Sequence, residues 1–470
     1  MNTISEKDTN SPDNDLVSGE ENLLNSVERI SPLGRISIGL LIIVGCWGLF
    51  AWIWQLKGGL GVTAMRDYVS WGFYIATFVF FIGISHAGTL MSAILRITDA
   101  EWRRPLTRMA EVITVVALIF GGLMPIIDMG RPERVLNMIF YGRVQSPLMW
   151  DIICICTYLA GSTLFLYLPM IPDIAQCRDH FAQNPNISRW RKSLYRKLSL
   201  GWQGTKEQWR LLEKGMWIMT VMIIPIAVSV HTVVSYIFAM TLRPGWNSTI
   251  FGPYFVIGAI MSGTAALILA TWAFRKFYKL EAYITPHHFN RLGQILLAFI
   301  MIYAYFNINE YWVPAYKMAS HESHLLKDLF YGDYAPLFWT LQIATIGIPM
   351  VMLAIPYFRK LPWILVASLL NVIGAWVKRY LIVVATMQHP SLPIQDAPQD
   401  WVDYFPTWVE WSIIVGALAG FILVYIIFSR LVPIISIWEY KEGLLVKDSM
   451  RGKHIPHTKE KQEQELKPVS

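Results

Sequence analysis

Four ionisable side chains fall within, or at the ends of, long apolar stretches of the 470-residue chain: His86, Asp128, Asp151 and His231. Ionisable groups are costly at membrane depth, so each of them is a candidate for function. A carboxylate or a neutral imidazole can accept a proton and return it. The chemistry that these residue types indicate is therefore proton exchange inside a membrane protein.

Asp128 and Asp151 flank one loop. Asp128 begins the segment 128–134 at the end of one apolar stretch, and Asp151 lies about one helical turn into the next. Neighbouring antiparallel helices can bring the two carboxylates together, and Arg131 or Arg134 would then tune their proton affinity. This predicts a polar pocket at the outer membrane boundary. A structural alternative, an Asp–Arg cluster that caps the helix ends, fits the residue types equally well.

The two histidines are expected at different depths. His231 lies roughly ten residues, or about 15 Å, below the outer end of its apolar stretch, whereas His86 lies about 17 residues below the outer end of its own. His231 could hydrogen-bond a quinone-type oxygen and take its proton. His86 suits a proton path, and either ring could instead satisfy a helix–helix hydrogen bond. Because bis-histidine ligation needs both rings at one iron, the difference in depth argues against a haem.

The apolar stretches that hold these residues are long enough to cross a membrane. Hydrophobic residues make up 54% of the chain and charged residues 16%, with a mean hydropathy of +0.40, whereas soluble domains contain about 25% charged residues. A spanning helix needs about 20 predominantly apolar residues. The predicted spans 1 to 10 are 36–56, 69–95, 109–127, 148–171, 216–241, 251–275, 291–313, 336–358, 362–387 and 408–436. The predicted fold class is an all-α membrane protein with ten transmembrane helices.

The basic residues orient the spans. Of the 40 Lys and Arg residues, 30 fall on the side that holds both termini and eight on the other side. The excess of positive charge marks the cytoplasmic side, so both termini are predicted to be cytoplasmic. The net charge of +7 is thus a topology signal and not a sign of nucleic-acid binding. Lys378 and Arg379 lie inside span 9, where we expect a structural ion pair with Glu310 or Glu410, or else part of an ion path.

Spans 2 to 5 resemble spans 6 to 9. Trp71-Gly72-Phe73-Tyr74 opens span 2, and Phe251-Gly252-Pro253-Tyr254 opens span 6 at an offset of 180 residues. Pro147-Leu148-Met149-Trp150 and Pro336-Leu337-Phe338-Trp339 open spans 4 and 8 in the same way. An even number of spans in each copy keeps both copies the same way up, as in a parallel repeat. We therefore predict two four-helix bundles with two peripheral helices.

The first copy is the better candidate for a site. Asp151 corresponds to Thr340 in the second copy, and His86 corresponds to Ala266. The predicted organisation is a disordered cytoplasmic tail, a peripheral helix with its outer loop, a first bundle that holds the site, a second bundle, an outer loop with the last helix, and a solvated cytoplasmic tail. These segments are 1–34, 35–68, 69–245, 246–390, 391–437 and 438–470.

The cysteines and short motifs exclude several classes of protein. The four cysteines contain no CxxC, which excludes a disulfide scaffold, a zinc ribbon and a self-contained iron–sulfur protein. No phosphate-binding loop, dinucleotide fingerprint or metalloprotease motif falls at a sensible place. The acidic start of the chain has no basic and apolar signal-peptide pattern.

Three short motifs, taken in order, resemble the NrfD-like family of membrane subunits of polysulfide reductase and related complexes. They are the opening 71–74, the loop 128–134 and the opening Ser146-Pro147-Leu148-Met149-Trp150-Asp151. The ten spans and the small-residue stretch 83–89 around His86 look closest to one branch, the membrane C component of bacterial alternative complex III. The resemblance covers roughly residues 35–440.

The resemblance implies a subunit that binds a quinol, with menaquinol favoured, near the outer face of a bacterial inner membrane and that holds no haem or metal itself. Electrons would leave to a periplasmic iron–sulfur subunit and then to multihaem cytochrome c subunits, with a homologous NrfD-like chain and lipid as further partners and with proton translocation as an additional activity. The catalytic candidates are Asp128, Asp151, His231 and His86. The quinol-binding candidates are Trp71, Tyr74, Arg131, Glu133 and Trp150.

Two other functions remain open at this stage. A secondary transporter also contains repeats and buried ionisable groups, although its polar site would lie near the midplane. A structural anchor would hold redox subunits without binding a quinol. The clustering of the first copy's polar groups at the outer boundary favours the quinol site.

Overall fold

The computed structural model describes residues 32–450, apart from 183, 185, 186, 247, 392–397, 399 and 400, together with residues 23, 24 and 27. Across these residues it contains helices and no strands. Ten helices are long and apolar enough to cross a membrane, which confirms an all-α membrane protein. In chain order they are Pro32–Gly58, Phe73–Ile97, Thr107–Asp128, Pro147–Ala182, Lys206–Ala239, Phe251–Phe277, Pro286–Lys317, Ala335–Ala354, Leu361–Ala385 and Trp408–Leu431. Most of the predicted tail 1–34 and all of 451–470 lie outside the described residues.

Hydropathy located every span but misplaced some ends. Span 5 was predicted to begin at residue 216, yet the helix begins at Lys206. Thr205 and Gln208 form a capping box there, in which each side chain bonds the other residue's backbone N–H. The capped polar turns extend the helix beyond its apolar segment, so apolar length alone places this start too late.

The spans pack as two rings of four. Around the first ring, span 2 contacts span 3, span 3 contacts span 4, span 4 contacts span 5, and span 5 returns to span 2. Spans 6 to 9 make the same cycle of contacts, and span 6 packs against spans 2 and 5 where the rings meet. We call these rings the first and second bundles. The internal sequence repeat remains a prediction.

Small residues let neighbouring helices approach closely. A Cβ placed on Gly88 of span 2 would lie 1.7 Å from the carbonyl oxygen of Ala110 in span 3, so these two backbones touch. Spans 1 and 10 form a separate pair in which a Cβ on Gly48 would lie 2.7 Å from the Cα of Gly416. Such contacts hold membrane helices together where no hydrophobic force operates between them.

Span 1 begins and span 10 ends at one end of the molecule, which we call the terminal face; the opposite end is the distal face. At the terminal face, Arg108 and Asp173 form a buried ion pair of 2.7 Å. Asp173 also accepts hydrogen bonds from the backbone N–H groups of Ile437 and Trp438, at 3.1 and 3.3 Å. A carboxylate in this position stabilises the start of the helix Ile437–Met450.

The docking of this helix corrects one prediction. Residues 438–470 were expected to form a solvated tail, but Glu439 is only 3% exposed. Its carboxylate pairs with Arg96 at 2.8 Å. Charged residues look solvated in a sequence because composition does not show that their partners lie on other helices.

Candidate functional site

The two histidine rings meet in the interior of the first bundle. The ring centroids of His86 and His231 lie 4.5 Å apart, and both residues are fully buried. The prediction that they lie at different depths is therefore wrong. Span 2 runs from the distal to the terminal face and span 5 runs the opposite way, and helical side chains lean toward the N-terminus of their own helix. Both rings consequently lean toward each other, which counting residues along the backbone does not show.

The hydrogen bonds of the two rings differ. In His86, Nε2 lies 2.6 Å from the carbonyl oxygen of Ala227, and Nδ1 lies 3.0 Å from that of Ile82. A neutral imidazole has one ring proton and can donate to one of these oxygens, whereas a protonated ring satisfies both. In His231 neither ring nitrogen has a partner, although both are buried. Such an atom calls for an explanation, and an acceptor or donor on a bound ligand is one.

Span 4 contributes a tyrosine and a carboxylate to the same interior. The ring of Tyr158 lies 5.2 Å from that of His86, and its hydroxyl donates to the carbonyl oxygen of Ser85 at 3.2 Å. Asp151 lies two turns nearer the distal face on the same side of span 4. It is 6% exposed, and its Oδ1 has no partner. Asp151, Tyr158 and the histidines thus follow one another inward from the distal face.

An aromatic wall connects the histidines to the distal end of the bundle. Phe255 lies 6.1 Å from His231 and 6.0 Å from Phe238. Trp71 meets Phe238 edge-on at 6.1 Å and stacks on Trp246 at 6.1 Å. The predicted pocket residue Trp71 therefore belongs to an apolar surface between spans 2, 5 and 6. Surfaces of this kind hold the flat ring or the hydrocarbon tail of a ligand.

Asp128 and Tyr74 form a second group, away from the histidines. The Tyr74 hydroxyl donates to Gln55 Oε1 at 2.6 Å, and Gln55 Nε2 donates to the carbonyl oxygen of Ile127 at 3.0 Å. Oδ1 of Asp128 is buried without a partner. The structure therefore divides the predicted catalytic residues between the interior of the first bundle and its distal boundary with span 1.

The predicted Asp–Arg cluster does not form among the described residues. Arg131 and Glu133 are exposed, and no ion pair within 4 Å joins an arginine to Asp128 or Asp151. A 3₁₀ turn, Pro132–Arg134, follows span 3 almost immediately and carries these side chains outward. Trp150 is half-buried, and its indole N–H donates to the carbonyl oxygen of Val144. Arg131, Glu133 and Trp150 consequently lie at the distal surface.

Sequence reasoning missed two residues that support these groups, Tyr158 and Gln55, and assigned a different partner to a third, Glu410. Tyr158 could have been found from its spacing of seven residues after Asp151, which places both on one helical face. Gln55 is an isolated amide in an otherwise apolar stretch. Glu410 is fully buried and accepts from the backbone N–H groups of Thr407 and Ala64, each at 2.9 Å. The Thr-x-x-Glu spacing before an apolar run was its signal, since this is a capping box.

The second bundle contains buried charges without the predicted ion pair. Lys378 Nζ donates to the Tyr311 hydroxyl and lies 4.4 Å from the centre of that ring. Arg379 donates to the carbonyl oxygen of Ala375 at 2.9 Å. No carboxylate of the described chain lies within 4 Å of either cation. Glu310, Tyr311 and Lys378 line a cavity of about 40 Å³, which is room for about three water molecules.

The structure gives no sign of a metal centre in the part of the chain that it describes, since no three His, Cys, Asp or Glu side chains converge there. Because the rings of His86 and His231 lie at the same depth, a difference in depth no longer argues against a haem between them. His231 is instead distinguished by its two unpartnered ring nitrogens and by the aromatic wall beside it.

Comparisons with known proteins give the relationships of the chain. It is 27% identical to the C component of the selenate reductase of Mesobacillus selenatarsenatis, over 84% of this chain and 93% of that protein. It is 27% identical to a putative membrane component, also designated C, of the dimethyl sulfoxide reductase of Halobacterium salinarum, over 86% and 92% of the two chains. It is 25% identical to the integral membrane subunit of menaquinone reductase from Nitratidesulfovibrio vulgaris, over 83% and 88%.

The family relationship covers both bundles. The family described as polysulphide reductase, NrfD, matches residues 61–390, a segment that contains spans 2 to 9 completely. The closer relationship to alternative complex III remains a prediction. Since the match extends over more than half of the sequence, the chain belongs to the NrfD family of polysulphide reductase.

Proposed function

We propose that the chain is the quinol-binding membrane subunit of a respiratory oxidoreductase complex in a bacterial inner membrane, with the distal face toward the periplasm. Two relatives support a quinol: the menaquinone reductase subunit and an Hdr-like menaquinol oxidoreductase integral membrane subunit of Archaeoglobus fulgidus, 21% identical over 84% of this chain. The observation that carries the proposal is that Asp128, Asp151 and His231 keep buried side-chain atoms without partners. Groups that bind a substrate are expected to lack partners in its absence.

The quinol ring would lie between His231 and the aromatic wall. An unpartnered imidazole nitrogen can hydrogen-bond a quinol hydroxyl and accept its proton as the electrons leave. Asp151, nearer the distal face on span 4, would receive a proton and release it outward. Trp71 and Phe238 would hold the ring or the start of the isoprenoid tail.

The electrons would leave the complex through partner subunits. Quinol oxidation releases two electrons and two protons, and this chain's residues are suited to the protons. We assign electron acceptance to an iron–sulfur subunit docked on the distal face, followed by multihaem cytochrome c subunits. Arg131 and Glu133, which are exposed at that face, would contact the docked subunit.

Asp128 and Tyr74 would take a separate part in proton release. Asp128 carries a buried, unpartnered oxygen at the distal end of span 3, beside the hydrogen bonds of Tyr74 and Gln55. A carboxylate in this position can pass a proton between the membrane interior and the periplasmic surface. This assignment makes the first bundle, and not the second, the place of quinol chemistry.

Purification of the complex by a tag on this chain would test the proposal. Menaquinol should reduce co-purified haem or iron–sulfur centres, seen in a redox difference spectrum, and the analogue 2-heptyl-4-hydroxyquinoline N-oxide should inhibit this reduction. Asp151→Asn should slow it at least tenfold, because general acid–base groups contribute about 10²–10⁴-fold. Asp67→Asn, an exposed carboxylate in the loop after span 1, is the matched control and should leave the rate unchanged.

Two results would contradict the proposal. A colourless chain that purifies alone would favour a secondary transporter, and the cavity beside Lys378 would then be the place to look for its substrate. A complex whose centres accept electrons from menaquinol at the normal rate despite Asp151→Asn would favour a structural anchor, with quinol oxidised elsewhere.

A further inference from the structure

A short basic helix at the terminal face takes no part in the proposed quinol site. It comprises Arg189–Leu198, between spans 4 and 5, and five of its ten residues are Lys or Arg. No Asp or Glu occurs in the sequence from residue 180 to residue 206. Like charges three or four residues apart on a helix repel one another, so this composition costs stability unless negative groups lie nearby. The basic helix therefore indicates a negatively charged neighbour that its own segment does not supply.

Hydrogen bonds fasten the basic helix across the ends of two spans. Arg191 and the Tyr195 hydroxyl donate to the carbonyl oxygens of the last two residues of span 10, at 2.6 and 2.8 Å. Tyr167, at the end of the apolar part of span 4, donates to the carbonyl oxygen of Leu198 at 2.6 Å. These attachments extend over two helical turns. The helix consequently lies along the membrane boundary and does not project away from it.

The inward side of the basic helix is bonded within the chain. The ring of Tyr195 stacks on that of Phe181 at 5.9 Å, and the Arg191 guanidinium lies 5.5 Å from the centre of the Phe181 ring. Lys192 donates to the carbonyl oxygen of Ala182 at 2.9 Å. Two of the five cations thus hold the helix in place.

The other three cations, Arg189, Arg196 and Lys197, lie on the outward side. All three are exposed, and none forms an ion pair within 4 Å in the described part of the chain. Their spacing places them on about a third of the helix circumference, together with Ser193 and Trp190. Trp190 is 65% exposed, and tryptophan is enriched where a membrane meets water. Cations beside an exposed tryptophan are typical of a helix that lies on lipid headgroups.

The acidic residues on either side of the segment already have cationic partners. Asp179, which precedes it, pairs with Arg178 at 2.7 Å. Glu207, which follows it, pairs with Arg210 at 2.8 Å. The negative groups that a membrane places at its boundary are lipid phosphates, and arginine binds a phosphate through paired N–H groups. Lipid phosphate therefore matches both the charge and the position of the outward side.

We propose that the outward side of the basic helix binds the headgroups of anionic phospholipids. Arg189, Arg196 and Lys197 contact the phosphates, and Trp190 inserts beside them among the headgroups. The site needs the membrane-spanning fold but no quinol chemistry. It therefore goes beyond the proposed function and does not depend on it.

Photocross-linking would identify what covers this side of the helix. The photoreactive p-benzoylphenylalanine is incorporated at Ser193, between the three cations, and the tagged complex is placed in liposomes of equimolar phosphatidylglycerol and phosphatidylcholine. Mass spectrometry of the irradiated peptide gives the ratio of the two lipid adducts. We expect phosphatidylglycerol to exceed phosphatidylcholine at least fivefold at about 50 mM salt, and to approach it at about 500 mM, because salt screens exposed charges.

A probe in the apolar part of span 5 is the positive control. Met222 is 51% exposed there, and p-benzoylphenylalanine at this position should cross-link the two lipids equally. Lipid-facing apolar surface does not distinguish headgroups, so this probe measures the ratio that chance encounters give.

Removal of the three cations tests their part in the site. Arg189→Gln, Arg196→Gln and Lys197→Gln together should bring the ratio at Ser193 close to one. The matched control substitutes by Gln three exposed cations at the terminal end of the second bundle, and it should keep the ratio within about twofold. These control residues are Lys279, Arg291 and Lys360.

A variant that keeps the charges separates loss of charge from a folding defect. Arg189→Lys combined with Arg196→Lys should retain the preference for phosphatidylglycerol, because an ammonium also attracts an anionic headgroup. Loss of the preference in this variant as well would mean that the helix had moved, and the three Gln substitutions would then be made singly.

Four outcomes would overturn the proposal while the probe at Met222 reacts. They are equal adducts of the two lipids at Ser193, a preference that survives the triple Gln variant, an adduct to another protein in native membranes, and no adduct at all. The third would make the outward side a docking surface for a partner subunit, and the fourth would leave it in water. The cross-link requires neither quinol nor electron transfer, so a failed redox test of the proposed function leaves this result standing.

Discussion

The two bundles share a cycle of helix contacts, but their buried ionisable side chains differ in their hydrogen-bond partners. In the first bundle, Asp128 and Asp151 each keep one buried carboxylate oxygen without a partner, and in His231 both ring nitrogens lack one. In the second, Lys378 bonds Tyr311 and Arg379 bonds its own helix. The first bundle thus leaves an imidazole and two carboxylates with unpartnered atoms, while the second satisfies its cations internally and leaves one carboxylate oxygen, on Glu310, unpartnered. The difference indicates that similar scaffolds can carry different tasks.

The second bundle is also the more distorted. Spans 8 and 9 contain π-helical turns at Ile343–Gly347 and Leu381–Ala385, whereas the described spans of the first bundle contain none. Such turns insert a residue and frequently occur at functional sites. Tyr254, Asn307 and Gln342 form a hydrogen-bonded chain across spans 6, 7 and 8, with both steps at 2.9 Å. The polar groups of the second bundle therefore form an internal hydrogen-bonded network. Comparison of the two repeated segments in the sequence did not predict it.

The largest expected difference is in the free energy of unfolding after substitution of two arginines, one near the start of span 3 and one near the start of span 7. Arg108 is buried and pairs with the fully buried Asp173, whereas Arg291 is exposed. Arg108→Met should lower the free energy of unfolding by about 3–5 kcal/mol, because it leaves a carboxylate buried without its cation. Arg291→Met should change it by less than about 0.5 kcal/mol. Unfolding in mixed detergent and dodecyl sulfate micelles, followed by circular dichroism, measures both.

A second substitution sharpens that result. If the loss comes from an unpaired Asp173, then Arg108→Met combined with Asp173→Asn should recover part of the stability, since the buried charge is removed. The Asn side chain can still accept from the backbone of Ile437. Equal losses from Arg108→Met and Arg291→Met would show that the two bundles do not differ at their terminal ends.

The sequence predicted the membrane spans better than it predicted the contacts between their side chains. Ten long apolar segments with few charges predict ten spans, because a segment in lipid must bond its own backbone polar groups and therefore forms a helix. The sequence did not reveal that His86 and His231 touch, since this depends on helix direction and side-chain lean. It suggested arginine partners for Asp128 that a single 3₁₀ turn carries away. Distances between helices depend on packing, which no single segment encodes.

The next largest effect should appear at His231 in the first bundle. His231→Ala should lower the rate of menaquinol oxidation by the complex about 100-fold, because it removes the unpartnered base next to the aromatic wall. Thr232→Ala is the neighbouring control: its hydroxyl bonds the carbonyl oxygen of Val228 in its own helix, so the rate should stay within about twofold. A rate for His231→Ala equal to that of the control would place the quinol outside the first bundle.

The smallest effect should come from Lys378 in the second bundle, and it tests the comparison most directly. Its ammonium lies over the Tyr311 ring with no carboxylate within 4 Å in the described chain. Lys378→Met keeps most of the side-chain volume and removes a desolvated charge, so its effect on stability should be small, about 1 kcal/mol or less in either direction. Menaquinol oxidation and the affinity for 2-heptyl-4-hydroxyquinoline N-oxide should remain within about twofold of the unaltered complex, as they should for Lys327→Met at the exposed distal surface.

A tenfold loss of quinol oxidation with normal analogue binding would mean that the cavity beside Glu310 exchanges protons during turnover. The two bundles would then be coupled, and the internal hydrogen bonds of the second would serve the chemistry of the first.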